Sequence, residues 1–330
     1  MRAAYIEQTG PASNIKVGEL PDPTLTANQV LVRVKVAALN PVDTYIRAGH
    51  VPFELPMPFV VGCDLAGVVE AVGDDVTKFE PGDRVWGSNQ GLLGRQGTFA
   101  ELAAVDEQWL YPTPEGVTDE AAAATALVGI TAHLGLVEEA RIQEGETVLV
   151  SGGSGGVGST VVQMAKAHGN RVVATTSNQA KVEYCQRLGA DLVINYRTEN
   201  VAERVREELP DGVNVWWETA RTPNFEPAFA SLTLGGRMVI MAGRDARPEF
   251  PVGPFYSNCN KLLGFVMFLA SAKAQANAAD DINRWLTDGV LKTRVDRIAT
   301  LEDTAELHAL QESSTIDAED KVTGKLLVRM

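Results

Sequence analysis

Residues 148–176 read VLVSGGSGGVGSTVVQMAKAHGNRVVATT, and this stretch decides the fold. Val148, Leu149 and Val150 are a short run with no polar position, the pattern of a strand buried on both faces. The run stops at Ser151, where a glycine-built turn begins. Around Gly158 the spacing changes. Val157, Val161 and Ala165 recur at every fourth position, Val162 and Met164 widen the stripe, and Gly169 supplies a helix stop. Arg171 to Ala174 returns to a strand pattern. Strand, turn, helix and strand make one βαβ unit.

Within that unit Gly153, Gly155 and Gly158 satisfy G-x-G-x-x-G in the context the motif requires. The first glycine is expected to permit the turn, the second to let a pyrophosphate approach the backbone, and the third to let helix and strand pack closely. Ser154, Gly156 and Val157 complete a loop whose N–H groups, at a helix N-terminus, face an anion. The reading is a dinucleotide site.

At 330 residues the chain is long enough for two domains, and 45% hydrophobic with 22% charged residues is ordinary for a globular enzyme. The first ten residues lack the apolar core of a sorting signal, and the run Leu262 to Ala270 is too short to span a bilayer. A cytoplasmic address without membrane contact is the expectation. Three scattered cysteines, Cys63, Cys185 and Cys259, form no disulfide framework. Forty-three acidic against 29 basic residues give a net charge of −14, which argues against nucleic acid as a partner. Dinucleotide phosphates must then be held by local donors.

Before the glycine turn the chain is β-rich. Val30 to Leu39 alternates, with Val30, Val32, Val34 and Val36 on one face and Arg33 and Lys35 on the other. Asn40 to Arg47 follows, then a proline-studded loop from Pro52 to Pro58 where regular structure is not expected. Asp64 to Val72, a strand after the turn at Pro81-Gly82, and Thr98 to Val105 continue the β pattern. From Asp119 the residues DEAAAATALVGITAHLGLVEEA are helical. Further strands are expected at Leu192–Asn195, Val213–Trp217, Arg237–Met241 and Leu262–Phe268, alternating with helices, which implies a doubly wound parallel sheet. A tail with a strand, a helix through Glu306 to Leu310 and a last strand Lys325–Arg329 rejoins the first domain. The expected division is 1–121, 122–268 and 269–330.

Taken in order, NPVDTYIR, GCDLAGVVEAVG, PGDRVWG, VLVSGGSGGVG, LGAD, INYR, GGRMVIMAG and TGKLL resemble the medium-chain dehydrogenase/reductase superfamily, in its zinc-free quinone oxidoreductase (zeta-crystallin-like) branch. The resemblance covers essentially the whole chain. It implies an α/β protein with a GroES-like β-rich domain, a Rossmann domain for NADPH, and a substrate cleft between them. Zinc-dependent relatives place a Cys, a His and a Cys where this chain has Asn40, Cys63 and an apolar residue near Leu127. Residues 86–99, where those relatives carry a four-cysteine lobe, contain no cysteine, so no metal is expected.

The resemblance also implies site residues. Asn40, Asp43 and Tyr45 match the family's Asn-x-x-Asp-x-Tyr pattern, and an amide N–H with a phenol O–H suits an acceptor oxygen that gathers negative charge. Asp43 has an equal alternative as a cap of the following turn. Thr131 matches a position lining the nicotinamide; His133, two residues on, replaces a common aromatic. Gly243 and Lys325 are further cofactor candidates.

The choice of cofactor is read from the second strand. An NAD site needs a carboxylate about 20 residues beyond the glycines. Here Thr175-Thr176-Ser177-Asn178 offers hydroxyls, including that of Ser177, with Lys181 one turn into the next helix able to neutralise a 2′-phosphate. Tyr196 matches the family tyrosine that lies against this phosphate. NADPH is expected over NADH. The acceptor stays open between a quinone and an activated C=C bond of an enal or enone. A low-turnover NADPH-binding protein is the alternative of another class. The Leu262–Phe268 strand, as a sheet edge, is expected to pair two copies in a homodimer unless a helix or loop covers it.

Overall fold

The computed structural model describes residues 1–52, 54–316 and 321–330 of the chain. They fall into two compact units, Met1–Leu127 with Ala279–Met330, and Val128–Ala278.

The first unit opens with β1 (Arg2–Ile6), β2 (Lys16–Glu19) and β3 (Gln29–Leu39), followed by α1 (Pro41–Ala48). Next come β4 (Phe59–Val60), β5 (Asp64–Val72), β6 (Arg84–Gly87), β7 (Leu102–Asp106) and β8 (Leu110–Pro112). The valines of β3 behave as their alternation requires. Val30, Val32, Val34 and Val36 are at most 2% exposed, the first three packing with Leu65, Val69, Val85 and Val105, while Arg33 and Lys35 face solvent. Residue 53 of the proline-studded loop lies outside the described residues, and the others of that loop form no helix or strand. The strand expected from Thr98 to Val105 is split. Ala100 bridges Ala3 of β1, whereas β7 starts only at Leu102 and pairs with β3. One extended segment thus serves two sheets.

The chain continues through α2 (Asp119–His133), β9 (Thr147–Ser151), α3 (Gly156–Ala167), β10 (Arg171–Thr176), α4 (Gln179–Arg187) and β11 (Leu192–Asn195). Then come α5 (Val201–Glu208), β12 (Val213–Glu218), α6 (Phe225–Ser231), β13 (Leu232–Ile240), α7 (Val252–Ser257) and β14 (Lys261–Gly264). The last elements are α8 (Ala272–Thr287), β15 (Val295–Thr300), α9 (Thr304–Thr315) and β16 (Lys325–Arg329). β16 pairs antiparallel with β3, which returns the tail to the first unit.

The second unit holds a six-stranded parallel sheet in the order β11-β10-β9-β12-β13-β14. This is the doubly wound arrangement, with the order reversing beside β9. Val148, Leu149 and Val150 are fully buried, as a central strand covered on both faces must be.

The helical expectation from Asp119 holds, with a change of pitch, and one strand boundary is corrected. The helix after Asp119 ends at His133 and continues as a wider π-helical segment, Leu134–Glu139, where Gly135 lies so close to Trp217 that a Cβ would stand 2.2 Å from the indole. The last strand is Lys261–Gly264, not Leu262–Phe268, because Met267–Leu269 turns into a 3-10 helix and leaves the sheet. The stretch Asp119–Glu139 is long and apolar enough to cross a bilayer, but 78% of its most apolar window is buried within the protein. It is a core helix.

His308 on α9 is fully buried against Phe99, with no hydrogen-bond partner on either ring nitrogen. Burial, aided by the neighbouring Arg47 guanidinium, pushes its pKa down to about 3. The folded protein therefore binds fewer protons here than the unfolded chain, whose histidine titrates near its ordinary 6.5. Stability should fall as pH drops below about 6.5. In urea melts between neutral and acid pH, His308→Leu should flatten that slope; an unchanged slope would contradict the assignment.

Candidate functional site

The strand order reverses beside β9, and a parallel sheet binds ligands outside the carboxyl ends of its strands at such a point. The glycine loop sits there. Gly152, not Gly153, makes the turn: its φ is +75°, and its N–H donates to Thr175 Oγ1 at 3.2 Å. Gly153 is instead a packing glycine, since a Cβ on it would stand 2.7 Å from Ala174 Cβ. Gly158 is the tightest point of the loop, with a hypothetical Cβ 2.2 Å from Gly152 O. Gly155 is exposed, and a Cβ there would meet only Gly152 O at 3.5 Å, leaving room for a ligand against the backbone.

Gly155 is also the N-cap of α3, and as a glycine it supplies no capping side chain. The first N–H groups of a helix have no intrahelical partner, so those of Gly156, Val157 and Gly158 are available to an anion, and the helix dipole favours one. Ser154 Oγ lies 3.3 Å from Thr176 Oγ1, tying the loop to the end of β10. A Cβ on Gly156 would touch Val128 on α2 at 3.4 Å. Thr131, one turn further, shares that helix face. These features fit a dinucleotide.

At the end of β10, Thr175, Thr176 and Ser177 are buried and Asn178 caps α4, its Oδ1 accepting from Lys181 N at 3.0 Å. Tyr196 is half exposed, and its N–H donates to Thr176 O at 3.0 Å. Ser177, Lys181 and Tyr196 therefore gather at the carboxyl ends of β10 and β11. Gly243 follows β13 with φ +88°. Glu218, at the end of β12, accepts from Trp216 Nε1 at 3.1 Å and Ala220 N at 2.8 Å, a structural role.

The first unit contains a buried polar cluster. Lys325, at the start of β16, is 5% exposed, and its Nζ donates to Asn40 Oδ1 at 2.6 Å. Asn40 Nδ2 donates to Asp64 Oδ2 at 2.8 Å and, more weakly, to Ala38 O at 3.4 Å. Asp64 Oδ2 also receives the N–H of Leu127 at 3.2 Å. Asp43 Oδ2 accepts the N–H of Asn40 at 2.7 Å, which closes the first turn of α1. Burial raises the pKa of Asp43 to about 7, opposed by the Cys63 thiol beside it and the Asn40 N–H, and reinforced by Asp64. Burial also raises Asp64 and Cys63 and lowers Lys325.

This geometry places each expected site residue of the first unit. Asn40 is fully buried, with its amide protons directed to Asp64 and, more weakly, to Ala38. Asp43 caps α1, the alternative its position allowed. Tyr45 is two residues beyond Asp43 on the same helix, hence on a different face, and only half buried. Lys325, expected at the cofactor, is bound to Asn40 in the first unit. Cys63 and Asp64 were not foreseen as its neighbours. The signal was a carboxylate opening an otherwise apolar strand, GCDLAG, which a buried counter-charge must answer.

Among the described residues no group of three or more His, Cys, Asp or Glu side chains is placed to hold a metal ion. A lysine ammonium lies among Asn40, Cys63 and Asp64, and that set does not suit zinc.

Two family models match the chain, alcohol dehydrogenase GroES-like domain over residues 26–115 and zinc-binding dehydrogenase over residues 156–283. Quinone oxidoreductase of Rattus norvegicus is 30% identical over 310 residues, 93% of each chain. The 2-methylene-furan-3-one reductase of Solanum lycopersicum is 39% identical over 234 residues, 69% of this chain and 58% of that protein. Among solved structures, an NAD-dependent alcohol dehydrogenase superposes with TM-score 0.90 at 31% identity, covering 100% of both chains. A mycobacterial protein complexed with NADPH does so with TM-score 0.87 at 27% identity, again covering 100% of both.

One tight and one open glycine of the loop should separate folding from binding. Gly158→Ala, forced against Gly152 O, should destabilise the protein by about 1–3 kcal/mol in thermal or urea melts. Gly155→Val should leave the melt nearly unchanged while weakening nicotinamide dinucleotide binding at least about tenfold by fluorescence titration. Unchanged affinity would remove the loop from the site.

Proposed function

Since the chain belongs to the quinone oxidoreductase branch of the medium-chain dehydrogenase/reductase family and is an oxidoreductase with a nicotinamide cofactor, we propose that it uses NADPH to reduce a quinone-type acceptor. The observation that carries the cofactor choice is the end of β10. Thr175 to Asn178 has no carboxylate to accept from a ribose 2′-OH, while the Lys181 side chain and Tyr196 flank that place.

When bound, the nicotinamide supplies hydride to the acceptor. The residues of the chain do the rest. The open face of Gly155 and the uncapped N–H groups of α3 hold the pyrophosphate, and Thr131, on the α2 face that meets the loop, orients the nicotinamide half. Tyr45, alone of the three segment-40–45 candidates, has exposed surface, and we assign its phenol to the acceptor oxygen as a hydrogen-bond donor. Asn40 and Asp43 fix the start of the helix that carries it.

A second acceptor class, the activated C=C bond of an enone, is supported by the likeness to the tomato furanone reductase. Pairing of two copies along the open edge of β14 is part of the same proposal. Leu262 is 40% exposed, Val266 43% and Leu269 72%, an apolar rim beside four residues of free strand. Light scattering that reads a monomer at micromolar concentration would remove the pairing.

Lys181→Ala should weaken NADPH at least about tenfold and NADH less than about threefold, because only the former loses a charge-assisted contact. Equal loss for both cofactors would sink the NADPH assignment. A stopped-flow panel of 1,4-quinones and 2-alkenals then reads the acceptor. Tight NADPH binding without oxidation across the panel would indicate a binding protein of little turnover.

A further inference from the structure

Four elements of the first unit bring their polar groups to one buried place. Asn40 stands between β3 and α1, Asp43 on α1, Asp64 at the start of β5 and Lys325 at the start of β16, with the Cys63 thiol beside Asp43. All five residues are at most 5% exposed. The groups facing one another carry two carboxyls, one thiol and one ammonium. One ammonium balances one carboxylate, and a second buried negative charge has no cation to meet it within the cluster.

The hydrogen bonds decide which carboxyl is the anion. Asp64 Oδ2 receives the Asn40 amide at 2.8 Å and the Leu127 N–H at 3.2 Å. The Lys325 ammonium, 2.6 Å from Asn40 Oδ1, polarises that amide toward Asp64. Asp43 receives one backbone N–H at 2.7 Å through Oδ2, and its Oδ1 has no hydrogen-bond partner. We propose that these five residues form a charge-balanced cluster that holds one exchangeable proton on Asp43, with Lys325 as the positioning residue that keeps Asp64 ionised and the proton where it is. The proton comes from solvent and returns to it, so no other reactant is needed. Because Asp43 closes the first turn of α1, the helix that carries Tyr45 responds to the protonation of the cluster. The inference is independent of which acceptor the enzyme reduces.

Infrared difference spectroscopy of the full chain tests it. The wild type should show a protonated carboxyl band that bleaches as pH is raised through about 7, and Asp43→Asn should lack it. Lys325→Met should add a second protonated carboxyl, from Asp64, and Lys325→Arg should restore the single band. If Lys325→Met does not fold, the double variant Lys325→Met/Asp64→Asn, which removes both opposite charges, should fold and keep one band with its midpoint moved to lower pH, because Asp64 raises Asp43 more than Lys325 lowers it. No band in the wild type, a band persisting in Asp43→Asn, or a midpoint unmoved in the double variant would overturn the proposal. NADPH affinity within about threefold of wild type in the double variant separates this role from direct cofactor binding; a tenfold loss with an unmoved band would assign Lys325 to the cofactor instead.

Discussion

The amino end of α3 approaches the carboxyl end of β9 more closely than any side chain permits, with room of only 2.2 Å between a Cβ at Gly158 and the carbonyl of Gly152. That contact sets much of the second unit. It fixes the helix so that its uncapped N–H groups lie at the point where the sheet order reverses. It also forces the preceding turn onto Gly152, the residue with positive φ, and leaves Gly155 bare for a ligand. In a chain of net charge −14, a phosphate can be held only by such local, oriented donors.

The first unit is governed by the converse constraint, the cost of burying charge. Lys325, Asp64 and Asp43 are removed from water and answer one another through the Asn40 amide. An asparagine suits the junction because its amide accepts on one side and donates on the other. The same commitments tie Asn40 to the cluster, while Tyr45, on another face of α1, is only half buried.

Periodicity made the architecture legible. The fully apolar run at Val148 to Val150, the fourfold recurrence after it and the alternation of Val30 to Val36 each report burial on a regular element, which depends only on local spacing. Edges were less readable. Leu262 to Phe268 is apolar throughout, yet the ladder ends at Gly264, because where a strand leaves its neighbour depends on the partner strand and not on its own composition.

By itself the sequence determined the βαβ unit, the glycine loop and the absence of an acid after β10, all properties of contiguous residues. Only the tertiary structure decided that Gly152 takes the turn, because SGGSGGVG offers several glycines and packing against Ala174 and Gly152 O selects among them. Only it joined Lys325 to Asn40, 285 residues apart in the chain. A buried charge is answered by whatever the fold brings beside it, and no local pattern encodes that partner.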